Sequence, residues 1–170
     1  MGTTIGSPFY MAPEQAQGLE TLDSRADVFA LAAISYECIV GTVPFSGNNG
    51  PSILLAILTE DPPPPTVAGR KAKYAIPAAM DEVMELALAK NPNHRQATVG
   101  AFADALGHAY GLTGTHHDWA RTALAELAAT LEASQPAARA DAQGDPFAAR
   151  LSAAPDPFAA APPRVPARPP

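Results

Sequence analysis

The side chains able to do chemistry are few and widely spaced. Hydroxyls gather at the start, where Gly2-Thr3-Thr4-Ile5-Gly6-Ser7 offers three nucleophiles or phosphate acceptors. A Walker-type phosphate loop needs a lysine behind its glycines, and none follows here. The four histidines, His94, His108, His116 and His117, lack the spacing of a metal site, and the adjacent pair His116-His117 has no further ligand. Cys38 is the single cysteine, so no intramolecular disulfide forms and a reduced compartment fits. Arg70, Lys71 and Lys73 crowd one loop, most simply a solvated surface. Asp27 stands apart, because it is the one charge in Ala26-Asp27-Val28-Phe29-Ala30-Leu31-Ala32-Ala33-Ile34. A carboxylate carried into an apolar core needs partners, since burying it alone is very costly. These patterns assign no catalytic residue and no metal ligand.

The elements that must position these groups read as helices. Asp23 or Ser24 can cap a helix over 25–40, with Gly41 as its stop, and its all-round apolar surface places it at the centre of a core. A shorter helix over 51–59 ends at Asp61-Pro62-Pro63-Pro64-Pro65. Over 77–90, Met80, Val83, Met84, Ala87 and Leu88 recur at helical spacing, with Asp81, Glu82 and Glu85 facing outward and Asn91-Pro92 ending the run. Thr98 caps a helix with Val99, Phe102, Leu106 and Tyr110 on one side. A last helix over 118–133 carries a Leu124, Leu127, Leu131 stripe, with Trp119 as its anchor. No long alternating strand pattern occurs, so the fold class is mainly α. After about Ser134 the chain turns Pro/Ala-rich, a composition with too little bulky apolar area to offset chain entropy.

Charge narrows the partners. The net charge of −6 opposes binding to nucleic acid, which requires clustered Lys and Arg. The longest apolar segment, 28–40, is interrupted by Ser35 and Glu37 and is shorter than the roughly 20 residues a membrane helix needs. No targeting or membrane segment is read from the sequence, and a cytoplasmic location is expected.

Four ordered motifs carry a family resemblance. Gly6-Ser7-Pro8-Phe9-Tyr10-Met11-Ala12-Pro13-Glu14-Gln15 resembles the end of a protein kinase activation segment with its Ala-Pro-Glu signature. Asp23-Ser24-Arg25-Ala26-Asp27-Val28-Phe29-Ala30-Leu31 is similar to the start of the central helix of that family. Tyr36-Glu37-Cys38-Ile39-Val40-Gly41-Thr42-Val43-Pro44-Phe45 resembles its end and the Gly-x-x-Pro-Phe loop that follows. Asn91-Pro92-Asn93-His94-Arg95 resembles the late Pro-x-x-Arg element. Ala32 departs from the glycine common at its position. The form is that of a bacterial-type serine/threonine kinase.

The resemblance implies roles. Glu14 matches the glutamate that pairs with the late arginine, here Arg95, fixing the activation segment to the helical lobe. Ser7 matches the hydroxyl that bridges catalytic Asp and Lys, and Pro8, Phe9 and Tyr10 shape the pocket beside the phosphoacceptor. Thr3 and Thr4 lie where regulatory phosphorylation falls. Asp27 matches a structural aspartate whose family partners belong to the catalytic loop, so here it is expected to be shifted, hydrated or partly exposed. The implied architecture is a partial C-terminal kinase lobe over 1–112, an additional amphipathic helix over 113–134 and a disordered tail over 135–170.

Phosphoryl transfer in this family needs a Gly-rich loop, a strand lysine, a His-Arg-Asp loop and a metal-binding Asp-Phe-Gly, and this sequence contains none of them. ATP and magnesium belong to the complete family, so this chain is expected to hold no cofactor and to be inactive alone. Protein substrates or a kinase partner chain are the expected partners. The competing reading is a non-catalytic kinase-like module that engages a kinase or its substrates. A further reading rests on the repeated Asp145-Pro146-Phe147-Ala148-Ala149 and Asp156-Pro157-Phe158-Ala159-Ala160, which resemble adaptor ligands but are more simply low-complexity duplication.

Overall fold

The structure, a computed structural model, describes residues 8–70, 72 and 74–134. The expectations for Thr3, Thr4, Ser7, Lys71, Lys73 and the 135–170 segment lie outside the described residues. Among the described residues every regular element is helical and no strand forms.

A 3₁₀ turn, Pro8–Tyr10, leads into α1 (Pro13–Ala16), where Pro13 pre-sets the first helical φ and the Ala12 N–H donates to Gln15 Oε1 at 2.9 Å. α2 (Arg25–Val40) starts where Asp23 Oδ1 accepts the Arg25 N–H at 2.8 Å, so Asp23 rather than Ser24 supplies the side-chain cap. It stops at Gly41, whose φ of 88° lies in the left-handed region a Cβ disfavours. α3 (Gly50–Thr59) begins in a reciprocal box between Asn49 and Ser52. The proline run then leads into α4 (Pro65–Ala68) and, past a loop, α5 (Ala79–Ala87).

α2 touches the Pro8–Tyr10 turn, α4, α5 and α6 (Val99–Ala109), and so organises the domain. Its wrapping is one-sided, which corrects the all-round burial expected. Val28, Phe29, Ala32, Ala33 and Tyr36 are buried, whereas Asp27, Ile34 and Cys38 are exposed. No described element covers that face, and Asp27 lies exposed on it.

Three other expectations need correction. α5 is shorter than 77–90: it ends at Ala87, and the Ala89 and Lys90 carbonyls beyond it accept from Arg95. Asp81 does not simply face outward: it is half-buried and caps α4, accepting the Thr66 N–H at 2.9 Å and the Thr66 hydroxyl at 2.6 Å. The last helix is broken into α7 (His116–Trp119) and α8 (Leu124–Ser134). Thr115 and Asp118 form the box that starts α7 early, with Thr115 N–H donating to Asp118 Oδ2 at 2.9 Å. Trp119 lies against Gly107 of α6, and its indole N–H donates to the Thr113 carbonyl at 2.9 Å. Leu127 and Leu131 are half-buried, but Leu124 is 81% exposed and drops out of the expected stripe. On α6, Thr98 Oγ1 accepts the Ala101 N–H at 3.1 Å and Phe102 is buried, while Val99 lies at the surface.

Candidate functional site

Two short turns deliver the groups at the centre of the site. Pro13 starts α1 and so places Glu14 in its first turn. Asn91 Oδ1 accepts the Asn93 N–H at 3.0 Å, which starts the 3₁₀ turn Pro92–His94 and presents Arg95 at its end. Although 81 residues apart, the two side chains meet in a bidentate pair: Arg95 Nη1 donates to Glu14 Oε1 at 2.7 Å and Nη2 to Oε2 at 2.8 Å. Arg95 Nε also donates to the Ala89 carbonyl at 2.8 Å, Nη1 to Arg25 at 2.9 Å and Nη2 to Lys90 at 3.2 Å. All five guanidinium N–H groups are thereby used. The Arg95 side chain is 0% exposed and that of Glu14 7%. Burial pushes the Glu14 carboxyl up, but the Arg95 hydrogen bonds and charge, with backbone donation, outweigh it and hold the group below the ordinary carboxylate range.

Aromatic rings extend this latch into the core. The Arg95 guanidinium lies 4.9 Å from the Phe29 ring centroid, and Phe29 stacks on Phe45 at 5.9 Å with 6° between planes. Above Phe45, at 3.9 Å, lies the Lys90 ammonium, a cation–π contact in place of a hydrogen bond. Burial pushes the Lys90 amine down to about 8, against the opposing pull of Asp61 and Glu60. On the outer side Arg25 binds both Asp23, at 2.6 Å, and Asn93 Oδ1, at 2.7 Å, tying the entry of α2 to the turn that presents Arg95. Arg25 holds the exposed Asp23 carboxyl near 2.

The substrate-side residues expected from the sequence take definite positions. Pro8, Phe9 and Tyr10 form the 3₁₀ turn against α2 and α3, with Phe9 and Tyr10 packed on the core. The Tyr10 hydroxyl donates to Glu37 Oε2 at 2.7 Å, which fastens the turn to the buried side of α2. Asp27 lies apart from this cluster, on the exposed face of α2. Sequence reasoning passed over Glu37, Lys90 and the Arg25 clamp. Glu37 had a usable signal, an acid inside an apolar helix; Lys90 and Arg25 had none, because both depend on which loops meet.

A family model described as "Protein kinase domain" matches residues 1–110. This chain belongs to the protein kinase family. It is similar to the serine/threonine-protein kinase pkn3 of Myxococcus xanthus, with 41% identity over 101 residues, 59% of this chain and 18% of that protein. It is likewise similar to the tyrosine-protein kinase MasK of Myxococcus xanthus, 40% identical over 105 residues, covering 62% of this chain and 16% of MasK. The serine/threonine-protein kinase PknB of Mycobacterium tuberculosis is 38% identical over 94 residues, 55% of this chain and 14% of PknB. The chain thus spans less than a fifth of the length of these relatives. Its motifs are those of the C-terminal helical lobe of a bacterial-type serine/threonine kinase.

Kinases act on ATP with magnesium, and the acidic and basic groups among the described residues bear on where either could sit. No group of three His, Cys, Asp or Glu among them is arranged to hold a metal ion. Lys90, beside the latch, packs its amine over Phe45 and makes no hydrogen bond among the described residues. What the arrangement can do is mechanical: it fixes the segment 8–16 onto a helical platform. No helix among the described residues is long and apolar enough to cross a membrane.

Proposed function

We propose that this chain is the substrate-side part of a serine/threonine protein kinase domain, which anchors the end of the activation segment and does not itself transfer phosphate. The observation that carries this reading is the bidentate Arg95 latch on Glu14, backed by three further Arg95 donations to backbone carbonyls, a device that immobilises a short surface segment far more firmly than its own four-residue helix could. In this reading Glu14 and Arg95 are the structural lock, Asp27 is a structural residue of α2, and Ser7, Pro8, Phe9 and Tyr10 form the edge that meets a protein substrate. Thr3 and Thr4 are its phosphate acceptors. Transfer from ATP to serine or threonine is then the activity of a complete kinase in the cytoplasm, to which this chain contributes the docking side. Calorimetry with magnesium and ATP, alongside phosphate transfer to a generic protein substrate, tests the proposal on the full chain. The expected result is neither binding nor transfer; transfer abolished by a single carboxylate substitution would overturn it.

A second reading, a non-catalytic module that engages a kinase or its substrates, is favoured by the exposed α2 face around Ile34. Cys38 lies exposed on that face and reports on it. Slower alkylation of Cys38 on adding an active bacterial kinase would support the module; an unchanged rate would remove it.

A further inference from the structure

Between the proline run after α3 and the outer side of α5 lies a cavity of about 410 Å³. The prolines at 62–65 wall one side, Met84 and Leu88 lie at its base, and Asp61, Asp81 and Glu85 bring three carboxylates to it. These acids are not equivalent. Asp81 is engaged with Thr66, through both oxygens. Asp61 and Glu85 form no ion pair among the described residues, although Asp61 acts through space on Lys90, whose ammonium is enclosed over Phe45. The wall is held from within, because the Tyr36 hydroxyl on buried α2 donates to the Pro63 carbonyl at 2.8 Å. A preformed acidic trough with a proline wall and an apolar base suits an extended strand bearing arginines. Their stems can lie on the apolar surface while the guanidinium groups reach the carboxylates.

The sequence carries a segment of that composition. Ala161-Pro162-Pro163-Arg164-Val165-Pro166-Ala167-Arg168-Pro169-Pro170 holds two arginines, five prolines and no acid, in a chain of net charge −6. Proline fixes its own φ, and so lowers the ordering cost of docking in an extended form. The 26 residues from 135 to 160 form the tether. A connection of that length reaches at most about 90 Å, more than the width of a domain this size, and linking a ligand to its site in this way gives an effective concentration in about the millimolar range. A weak site is then enough.

We propose that the trough between residues 61–65 and α5 is the docking site of the chain's own arginine-proline segment 161–170, with Arg164 and Arg168 facing the Asp61 and Glu85 carboxylates. Docking folds the end of the chain back over α5 and neutralises the acidic rim. The inference stands on charge and shape alone and does not depend on the kinase reading.

The test compares backbone amide resonances of the full chain with those of an Arg164→Ala/Arg168→Ala variant at low ionic strength. Differences should cluster at Asp61, Glu85 and Leu88. They should be reproduced by Asp61→Asn/Glu85→Gln and fade at about 1 M salt, where the screening length falls to about 3 Å. Identical trough resonances in the two chains, or differences that map to another surface, would overturn the proposal. So would differences that grow with protein concentration, because the occupant would then be the segment of a second copy.

Discussion

Arg95 satisfies its whole guanidinium inside the protein, and this makes Glu14 the residue whose loss matters most. Glu14→Gln keeps the shape but removes the charge, leaving a cation of 0% exposure with three backbone carbonyls and a neutral amide. Breaking one side of a buried pair costs several kcal/mol, and the remaining carbonyls place this case near the low end, at roughly 3 kcal/mol. Urea unfolding at neutral pH measures it. The pH dependence has a definite sign. The folded Glu14 carboxyl is held below its unfolded value, so its contribution is complete above the unfolded value of about 4.3 and drains away as pH falls through the folded one. The stability gap between the wild type and Glu14→Gln should therefore stay constant at neutral pH and close in acid.

At the scale of elements, the contact between α6 and α7 is set by what is missing from one residue. A Cβ on Gly107 would run into the ring of Trp119. Next to that contact, Asp104 Oδ1 receives the His116 N–H and lies 2.8 Å from His116 Nδ1, and the Trp119 and His108 rings meet edge to face at 5.8 Å. Gly107→Ala should expel the indole and cost about 1–3 kcal/mol, less the modest helix propensity alanine returns. Trp119 is the sole tryptophan, so a red-shifted emission together with a lowered unfolding midpoint reads the change directly. An unshifted emission would mean that the two helices have room to separate without losing their contact.

At the scale of the whole molecule, α2 is at once the organising helix and the largest helix with an uncovered side. Ile34 is 43% exposed while its neighbour Ala33 is fully buried. Ile34→Glu should therefore change the stability of the chain by no more than about 0.5 kcal/mol, as surface substitutions do. Ala33→Glu, which puts an unpaired charge into the core, should abolish cooperative unfolding by the same thermal assay. Equal damage from both would mean that the Ile34 face is buried in solution, as in a dimer.

Much of this architecture is written in local pattern. α3, α5 and α6 follow from apolar periodicity and the Thr98 cap, and α2 from its apolar composition and the glycine stop at Gly41, because these depend on residues within a few positions of each other. The family likewise follows from four short motifs in order. What local pattern does not contain is which surfaces are covered. Asp81 reads as a solvent-facing acid by spacing, yet it caps a helix fifteen residues away. The last helix reads as continuous, yet Trp119 breaks from it to reach Gly107. Lys90 reads as the end of α5, yet its amine rests over Phe45 and its carbonyl serves Arg95. Each is a contact between segments far apart in the chain, whose free energy exists only once the helices have packed, so tertiary structure alone decides it.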